Sequence, residues 1–174
     1  MLTRLESVML SEKPDFVLVY GDTNSTLAGA LTAAKLLIPI AHVEAGLRSY
    51  NRAMPEEINR VVSDHLSDIL FAPTQEAIKH LRQEGIDPNK CFNVGDVMYD
   101  VALHYGEQAA KNSHIMKTLK TEPKGYVLAT IHRAENTDHE TKLKTIFDTL
   151  KKISAQQKVI VPLHPRTKKT LEAK

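Results

Sequence analysis

Cysteine is almost absent from this chain, which contains Cys91 as its single cysteine among 174 residues. One thiol cannot form an internal disulfide, and this fits a reducing compartment. One cysteine and scattered histidines also give no paired-cysteine or HExxH pattern, so the sequence predicts no metal site. Cys91 lies in the apolar run CFNVG, which favours a buried structural thiol over a nucleophile.

Long apolar runs and an excess of charge of one sign are missing as well. The longest apolar stretch, from 27 to 41, is interrupted by Lys35 and Pro39, so it is too short to span a bilayer. The first residues include Arg4 and Glu6 but no long apolar core, and we expect no signal peptide. The net charge of +2 favours neither nucleic acid nor an anionic membrane as a partner. A globular protein of the cytoplasm is therefore expected.

The chain contains a regular alternation of short apolar runs and helical patterns. Runs of this length suit strands that are buried on both faces of a parallel sheet. The predicted strands cover residues 16–20, 39–43, 68–72, 90–94, 126–131 and 158–163. Strands that alternate with helices predict an α/β protein with parallel sheets. A polar segment with proline and glycine, 118–124, separates most of a first domain from the two strands and one or two helices that follow.

Two acidic residues come directly after predicted strands. Asp22 follows strand 16–20, and Glu44 follows strand 39–43. Open α/β sheets bind ligands beyond the carboxyl ends of their strands. Neighbouring strands lie about 5 Å apart, so the two carboxylates could face one pocket. Asp22 could equally be an ordinary turn or cap residue, whereas Glu44 is a poor turn former and Gly46 already supplies that turn.

A third acidic residue, Glu56, lies in the first turn of a helix that begins at Pro55, where the helix dipole favours its ionised form. The residues that predict the buried face recur at helical spacing: Ile58, Val61, Val62 and His65. His65 is therefore expected to be a core histidine. Glu56 and Arg60 are four residues apart on the opposite side, where they form either part of a site or a solvated ion pair.

A histidine ends the fifth predicted strand. His132 follows strand 126–131 directly and precedes Arg133. A histidine at a strand end, beside an arginine and before a helix, can hold a phosphate or donate a proton. A lone histidine is nevertheless more often structural, and His42 and His164 are weaker candidates still.

Five motifs occur in order along nearly the entire chain: GDTNSTLAGAL, AHVEAGLRS, PEEINR, NVGD and IHRAEN. Together they resemble the non-hydrolysing UDP-N-acetylglucosamine 2-epimerase family. The forms GDTNST, MPEEINR and LHPRT are similar to a subgroup that acts on UDP-2,3-diacetamido-2,3-dideoxyglucuronate. The resemblance implies two Rossmann-like domains in the glycosyltransferase-B arrangement, with the active site between them. Residues 1–120 would then be most of the first domain without its first strands, and residues 121–174 the start of the second.

The resemblance also implies a reaction and its residues. A UDP-sugar is inverted at the carbon that bears the acetamido group, by elimination and re-addition of UDP, as in cell-surface polysaccharide biosynthesis. The implied catalytic residues are Asp22, Glu44, Glu56 and His132, and the implied substrate-binding residues are Arg60, Arg133 and His164. This route requires no metal and no other cofactor. In some bacterial members Arg133 and His164 match positions that touch a second, regulatory UDP-sugar, but the local sequence His164-Pro-Arg departs from their usual pattern.

The family's opening strand and the rest of its second domain are expected to lie outside residues 1–174. We therefore expect this truncated chain alone to be inactive or nearly so. Two other interpretations stay open: a nucleotide-sugar glycosyltransferase of related architecture, and a non-catalytic module. An exposed half-sheet promotes pairing, so a homo-oligomer is expected.

Overall fold

The computed structural model describes residues 1–131 and 133–172. The chain divides into two compact units between Glu107 and Gln108, and each unit contains a parallel β-sheet. The predicted α/β class with parallel sheets is therefore confirmed. The division lies upstream of the polar segment 118–124, and the assignment of residues 1–120 and 121–174 to two domains stays a prediction.

The sheet of the first unit has four strands: β1 (Val17–Tyr20), β2 (Ile40–Val43), β3 (Ile69–Ala72) and β4 (Cys91–Asn93). The helices of this unit are α1 (Leu2–Glu12), α2 (Asn24–Lys35), α3 (Pro55–Leu66) and α4 (Gln75–Gln83), and α5 (Val97–Asn112) begins in it. Neighbouring strands are parallel, and their order β1-β2-β3-β4 follows the chain. Because all strands run the same way, the turns after β1 and β2 lie at one edge of the sheet.

Helix α2 lies close to the sheet because of its small residues. A Cβ atom added to Gly29 would lie 3.2 Å from Cγ1 of Val19 in β1. Thr23 caps the helix by accepting a hydrogen bond from the N–H of Thr26. The hydroxyl of Thr26 donates in turn to the carbonyl oxygen of Tyr20 at 2.5 Å. The start of α2 is thereby fixed to the end of β1, and the turn between them is held from both sides.

Two apolar clusters form the core of the first unit among the described residues. One combines residues of α1, α2, β1 and β2: Met9, Val19, Ala30, Ala33 and Ile40. The other combines residues of the turn after β2, of β3 and of α4: Ala45, Leu70, Ala72, Ala77, Ile78 and Leu81. Burial of apolar surface stabilises by about 25 cal/mol per Å². Because Ala45 belongs to the second cluster, the turn that carries Glu44 is anchored in the core.

Helix α3 buries a polar side instead of the apolar side that the sequence predicts. The residues expected inside are only partly buried: Ile58, Val61 and Val62. His65 keeps 46% of its side chain exposed and lies 3.2 Å from Glu84, so the expectation of a core histidine is wrong. The buried residues of α3 are polar: Glu57, Asn59, Ser63 and Asp64. Three of them find hydrogen-bond partners on the turns after β1 and β2, which makes their burial possible.

Cys91 opens strand β4 and is only partly buried, not enclosed as the sequence predicts. Its Sγ lies 3.5 Å from the carbonyl oxygen of Asp87. Burial is the main cause that raises the pKa of the thiol. The protonated form is therefore favoured over the reactive thiolate, in agreement with a structural role.

The second unit contains a two-stranded parallel sheet of β5 (Tyr126–Leu128) and β6 (Lys158–Ile160). Its helices are α6 (Ile115–Thr118), α7 (Ala134–Thr137), α8 (Glu140–Ser154) and α9 (Pro165–Glu172). Both strands are shorter than predicted, but pairing resumes at a bridge between Ile131 and Leu163. The hydroxyl of Thr167 donates to the carbonyl oxygen of Ile131 at 3.0 Å, and this bond ties α9 to the end of the sheet.

Candidate functional site

The carboxyl groups of Asp22 and Glu44 lie on adjacent turns at one edge of the first sheet. Strands β1 and β2 end side by side, with Tyr20 opposite Val43, and an acidic turn follows each strand. A Cβ atom placed on Gly21 would lie 3.3 Å from Oε2 of Glu44. The Glu44 carboxylate therefore reaches the residue that immediately precedes Asp22, and the fold brings these two predicted site residues together.

Glu44 has a left-handed backbone conformation that residues other than glycine rarely adopt, with φ of +75°. The N–H groups of Glu44 and Ala45 both donate to the carbonyl oxygen of Phe71 in β3, at 3.0 and 3.1 Å. Gly46 follows with φ of +81°, and a Cβ atom there would lie 2.4 Å from the carbonyl oxygen of Ala77. A strained residue costs about 1–3 kcal/mol and persists only where its surroundings hold it. Here β3 and α4 supply that support.

Burial raises the pKa of Glu44 above its ordinary value, and the negative charges of Asp22 and Asp96 act in the same direction. The positive charges of Arg60 and His42 oppose this shift without cancelling it. A carboxyl group with a raised pKa holds its proton closer to neutral pH, which suits a general acid or base. Glu44 is therefore well prepared to exchange a proton with a ligand.

Arg60 links Asp22 to helix α3. Its Nη2 and Nε atoms lie 2.6 and 3.0 Å from Oδ2 of Asp22, and its Nη1 atom lies 3.0 Å from Oε2 of Glu57. Asn59 donates from Nδ2 to the carbonyl oxygen of Asp22 at 2.8 Å. Burial alone would lower the pKa of Arg60, but the hydrogen bonds to Asp22 and Glu57 raise it. The guanidinium stays charged and holds the Asp22 carboxylate against α3.

Glu57 is the glutamate of α3 that enters this cluster, although the sequence pattern pointed to Glu56. Its carboxylate accepts hydrogen bonds from the N–H groups of Ser49 and Tyr50 at 2.9 and 2.8 Å. Burial alone would raise the pKa of Glu57, but these bonds and the bond from Arg60 lower it to about 2. Glu56 is exposed and forms no ion pair with another residue in 1–131 or 133–172. Its catalytic role stays a prediction.

A chain of buried charged groups lies behind the two acidic turns. His42 in β2 is fully buried; its Nδ1 atom lies 2.7 Å from Oδ1 of Asp64, and its Nε2 atom lies 2.8 Å from the carbonyl oxygen of Gly21. Arg48 lies 2.7 Å from Asp64 and 2.7 Å from Glu84. The hydrogen bond from Arg48 is the main cause that lowers the pKa of Glu84. The sequence gives one local signal for this network, a histidine inside an apolar strand.

The remaining predicted site residues belong to the second unit. His132 lies outside the described residues. Arg133 and His164 are exposed and lie just beyond the bridge between Ile131 and Leu163, at the end of the second sheet. Their roles in catalysis and substrate binding stay predictions.

Within residues 1–131 and 133–172, no group of three or more His, Cys, Asp or Glu side chains is arranged to hold a metal ion. In the same two ranges, no helix has both the length and the apolar character needed to cross a membrane. The chemistry that the described site offers is that of two carboxyl groups beside a guanidinium, on turns fixed by buried ion pairs.

Comparison with known proteins gives a match along the whole chain. A family model described as UDP-N-acetylglucosamine 2-epimerase matches residues 1–174. A UDP-N-acetylglucosamine 2-epimerase homolog of Methanococcus maripaludis is 56% identical over 173 residues, which are 99% of this chain and 48% of that relative. The UDP-2,3-diacetamido-2,3-dideoxy-D-glucuronate 2-epimerase of Pseudomonas aeruginosa is 52% identical over 175 residues, again 99% of this chain and 48% of the relative.

A solved structure agrees with these relatives. The crystal structure of Methanocaldococcus jannaschii UDP-GlcNAc 2-epimerase in complex with UDP-GlcNAc and UDP superposes with a TM-score of 0.87 at 48% identity. The superposition covers 99% of this chain and 48% of that chain. This chain thus spans about half the length of the curated relatives it matches.

Proposed function

This chain belongs to the UDP-N-acetylglucosamine 2-epimerase family, and on that premise we propose that it is part of an enzyme that inverts the acetamido-bearing carbon of a UDP-sugar. The observation that carries the proposal is the pair of carboxyl groups at one sheet edge. Asp22 is pinned by Arg60, whereas burial raises the pKa of Glu44. An enzyme that moves a proton on and off carbon needs such a prepared acid or base.

The proposed reaction has two steps that mirror each other. In the first, a base takes the proton from the acetamido-bearing carbon, the bond between the neighbouring ring carbon and the UDP oxygen breaks, and a carbon–carbon double bond forms. In the second, the UDP oxygen adds back to that ring carbon while an acid returns a proton to the opposite face of its neighbour. Each tuned acid or base contributes roughly 100- to 10,000-fold to such a rate.

Glu44 is the proposed proton-exchanging group of the first unit. Asp22 carries its carboxylate at the same edge, and its hydrogen bonds to Arg60 give it a fixed position. Arg60 already pairs with Asp22 and Glu57, so we infer that its main contribution is to hold Asp22 in position. Its predicted contact with the substrate would be an additional role. Glu56, His132, Arg133 and His164 complete the proposed set, and we leave open which residue removes the proton and which returns it.

Two sugars are candidates for the substrate. Relatives at 56% and 52% identity are named for UDP-N-acetylglucosamine and for UDP-2,3-diacetamido-2,3-dideoxy-D-glucuronate, respectively. Both carry an acetamido group at the carbon to be inverted, so the same carboxyl pair serves either reaction. We propose the UDP-sugar 2-epimerase class and let the assay separate the two sugars. A homo-oligomer and a cytoplasmic location remain predictions.

The test is incubation of the complete polypeptide that contains this sequence with each sugar in heavy water. Epimerisation by elimination places deuterium on the acetamido-bearing carbon of both epimers, which proton and carbon NMR detect. Absence of both inversion and deuterium with either sugar would contradict the proposal. Transfer of the sugar to an acceptor without deuterium uptake would favour a glycosyltransferase instead. The 174-residue chain alone is expected to be inactive or nearly so.

A further inference from the structure

One buried imidazole contacts the supports of both acidic turns. His42 reaches the turn after β1 through Nε2, which lies 2.8 Å from the carbonyl oxygen of Gly21. Its Nδ1 atom lies 2.7 Å from Oδ1 of Asp64. The other oxygen of Asp64, Oδ2, accepts a hydrogen bond from the N–H of Gly46 at 3.0 Å, in the turn after β2. The His42–Asp64 pair therefore joins the residue before Asp22 to the second residue after Glu44.

The hydrogen-bond partners of this ring indicate which of its nitrogens donate. A carbonyl oxygen only accepts, so Nε2 of His42 carries a hydrogen and donates it to Gly21. Asp64 lies 2.7 Å from the Arg48 guanidinium through Oδ2, which also accepts from Gly46, and these contacts are those of an ionised carboxylate. An ionised carboxylate offers Nδ1 nothing but acceptor oxygens. Nδ1 therefore faces an acceptor as well, which is the arrangement of a doubly protonated imidazolium.

The surrounding charges make a buried imidazolium tolerable. Asp64 and Glu84 supply two negative charges, and His42 and Arg48 supply two positive charges along one hydrogen-bonded chain. Buried charges are stable where each one is paired and hydrogen-bonded. At the Glu84 end of this chain of charges, which is partly exposed to solvent, Nε2 of His65 lies 3.2 Å from Oε2 of Glu84. The ring also lies close enough to Glu44 for its charge to act on that carboxyl group.

We propose that His42, held as an imidazolium by Asp64, is a positioning residue that fixes the Asp22 turn relative to the Glu44 turn for the proposed epimerisation. This role rests on the proposed function, since the spacing of two carboxyl groups matters to catalysis only if both act on one substrate. The Glu44 turn contains a left-handed residue other than glycine, with φ of +75°, and such a strained residue needs external support. A shift of about 1 Å in catalytic geometry costs on the order of 100-fold in rate.

Two substitutions of His42 separate its two hydrogen bonds. In His42→Gln the amide nitrogen takes the place of Nε2 and still donates to Gly21. In His42→Asn the shorter amide takes the place of Nδ1 and keeps only the bond to Asp64. We expect His42→Asn to lower kcat about 100-fold with little change in KM, because the Asp22 turn loses its hydrogen bond to β2, the strand that leads into Glu44. We expect His42→Gln to recover most of that loss, because it keeps the bond to Gly21.

Ser67→Ala is the matched control for these variants. It also removes a buried hydrogen bond next to α3, from the Ser67 hydroxyl to the carbonyl oxygen of Ser63, but it touches neither acidic turn. Its kcat should stay within about two-fold of the wild-type value, in keeping with a site outside the catalytic geometry. Equal kcat values for His42→Asn and His42→Gln, or an equal loss in Ser67→Ala, would overturn the positioning role.

A spectroscopic measurement tests the imidazolium without any assay of activity. In the 174-residue chain at neutral pH, nitrogen-15 NMR of the His42 ring should show two N–H groups. Asp64→Asn should remove the one on Nδ1, because an amide no longer stabilises the cation. A neutral ring with one N–H in the wild-type chain would overturn the proposal. If the complete polypeptide exchanges no proton with either sugar, the proposed function fails, while the NMR result still decides the charge state of His42.

Discussion

The two acidic turns at the edge of the first sheet differ in how the protein holds them. Asp22 is held by side chains: it pairs with Arg60 at 2.6 Å and keeps 32% of its side chain exposed. Glu44 is held by its backbone, through a left-handed conformation and hydrogen bonds to Phe71. The Asp22 charge is compensated by a cation, whereas burial raises the pKa of Glu44. One edge therefore presents a fixed anion beside a group prepared for proton exchange.

Replacing Glu44, the proposed proton-exchanging group, is expected to have the largest effect. Glu44→Gln keeps the size of the side chain but cannot take up or release a proton. In the complete polypeptide we expect kcat for deuterium incorporation to fall about 100- to 10,000-fold. Asp22→Asn is the partner experiment, and it should retain the acidic limb of the pH–rate profile that Glu44→Gln removes. Loss of that limb in Asp22→Asn alone would reverse the roles assigned to the two turns.

The backbone support of the Glu44 turn is tested by Gly46→Ala. The added methyl group would lie 2.4 Å from the carbonyl oxygen of Ala77 at a residue with φ of +81°. Overpacking and backbone strain together should lower the free energy of unfolding by about 3–4 kcal/mol. Gly85→Ala is a matched control, because its φ is also +81° but no atom lies within 4 Å of the new methyl group.

The free energy of unfolding of Gly85→Ala should fall by about 1–2 kcal/mol, which is the cost of the strained backbone alone. Urea unfolding of both variants, followed by circular dichroism, measures the difference. Equal losses at Gly46 and Gly85 would mean that contact with α4 does not hold the Glu44 turn.

The ionic support of the Asp22 turn is tested by Glu57→Gln. The neutral amide loses the charged bonds with Arg60 and with the N–H groups of Ser49 and Tyr50, so we expect a loss of about 2 kcal/mol in the free energy of unfolding. Glu56→Gln changes the exposed neighbour and should stay within about 0.5 kcal/mol of the wild-type value. If the two variants unfold at the same urea concentration, Glu57 does not support this turn.

A fall in pH should remove the stabilisation that Glu57 gives to the Asp22 turn, without a matching loss at the Glu44 turn. The pKa of Glu57 is about 2, below the ordinary 4.5, so its stabilising contribution is complete above pH 4.5 and is lost as the pH falls toward 2. The raised pKa of Glu44 has the opposite sign, since its ionisation costs stability at high pH and acid relieves that cost. The smallest expected effect is therefore on the Tm difference between wild type and Glu57→Gln, which should become smaller as the pH falls from 4.5 toward 2. A Tm difference that stays constant over this pH range would contradict the role of the Glu57 carboxylate.

The positions of the strands and the meeting of Asp22 with Glu44 could be predicted from the sequence. Each of the first four strands lies within its predicted range, because short, mainly apolar runs favour strands buried in a parallel sheet. Parallel neighbours place their carboxyl ends together, so two acids that follow adjacent strands must share an edge. The family resemblance drawn from the five motifs is confirmed by the match along the whole chain.

The orientation of α3 could not be predicted in the same way. Hydrophobic spacing favoured Ile58 and Val61 as the inner face, but the fold buries Glu57 and Asp64. The burial of these carboxylates is favourable only because N–H groups and cations from distant turns pair with them. One such cation is Arg48, which lies sixteen residues before Asp64 in the sequence. A helical wheel contains no information about partners on other segments. For the same reason the sequence pattern pointed to Glu56, although its neighbour Glu57 holds the arginine.

The strand order of the first sheet, β1-β2-β3-β4, repeats the order in which the ribosome makes the strands. Each new strand can therefore dock on the one synthesised just before it, and no strand has to wait for a distant partner. The ion pair between His42 and Asp64 can close once α3 has emerged, whereas the Glu44 turn gains its support only with β3 and α4. We expect the geometry of the two acidic turns to be set once α4 has emerged, while the remainder of the chain is still being made.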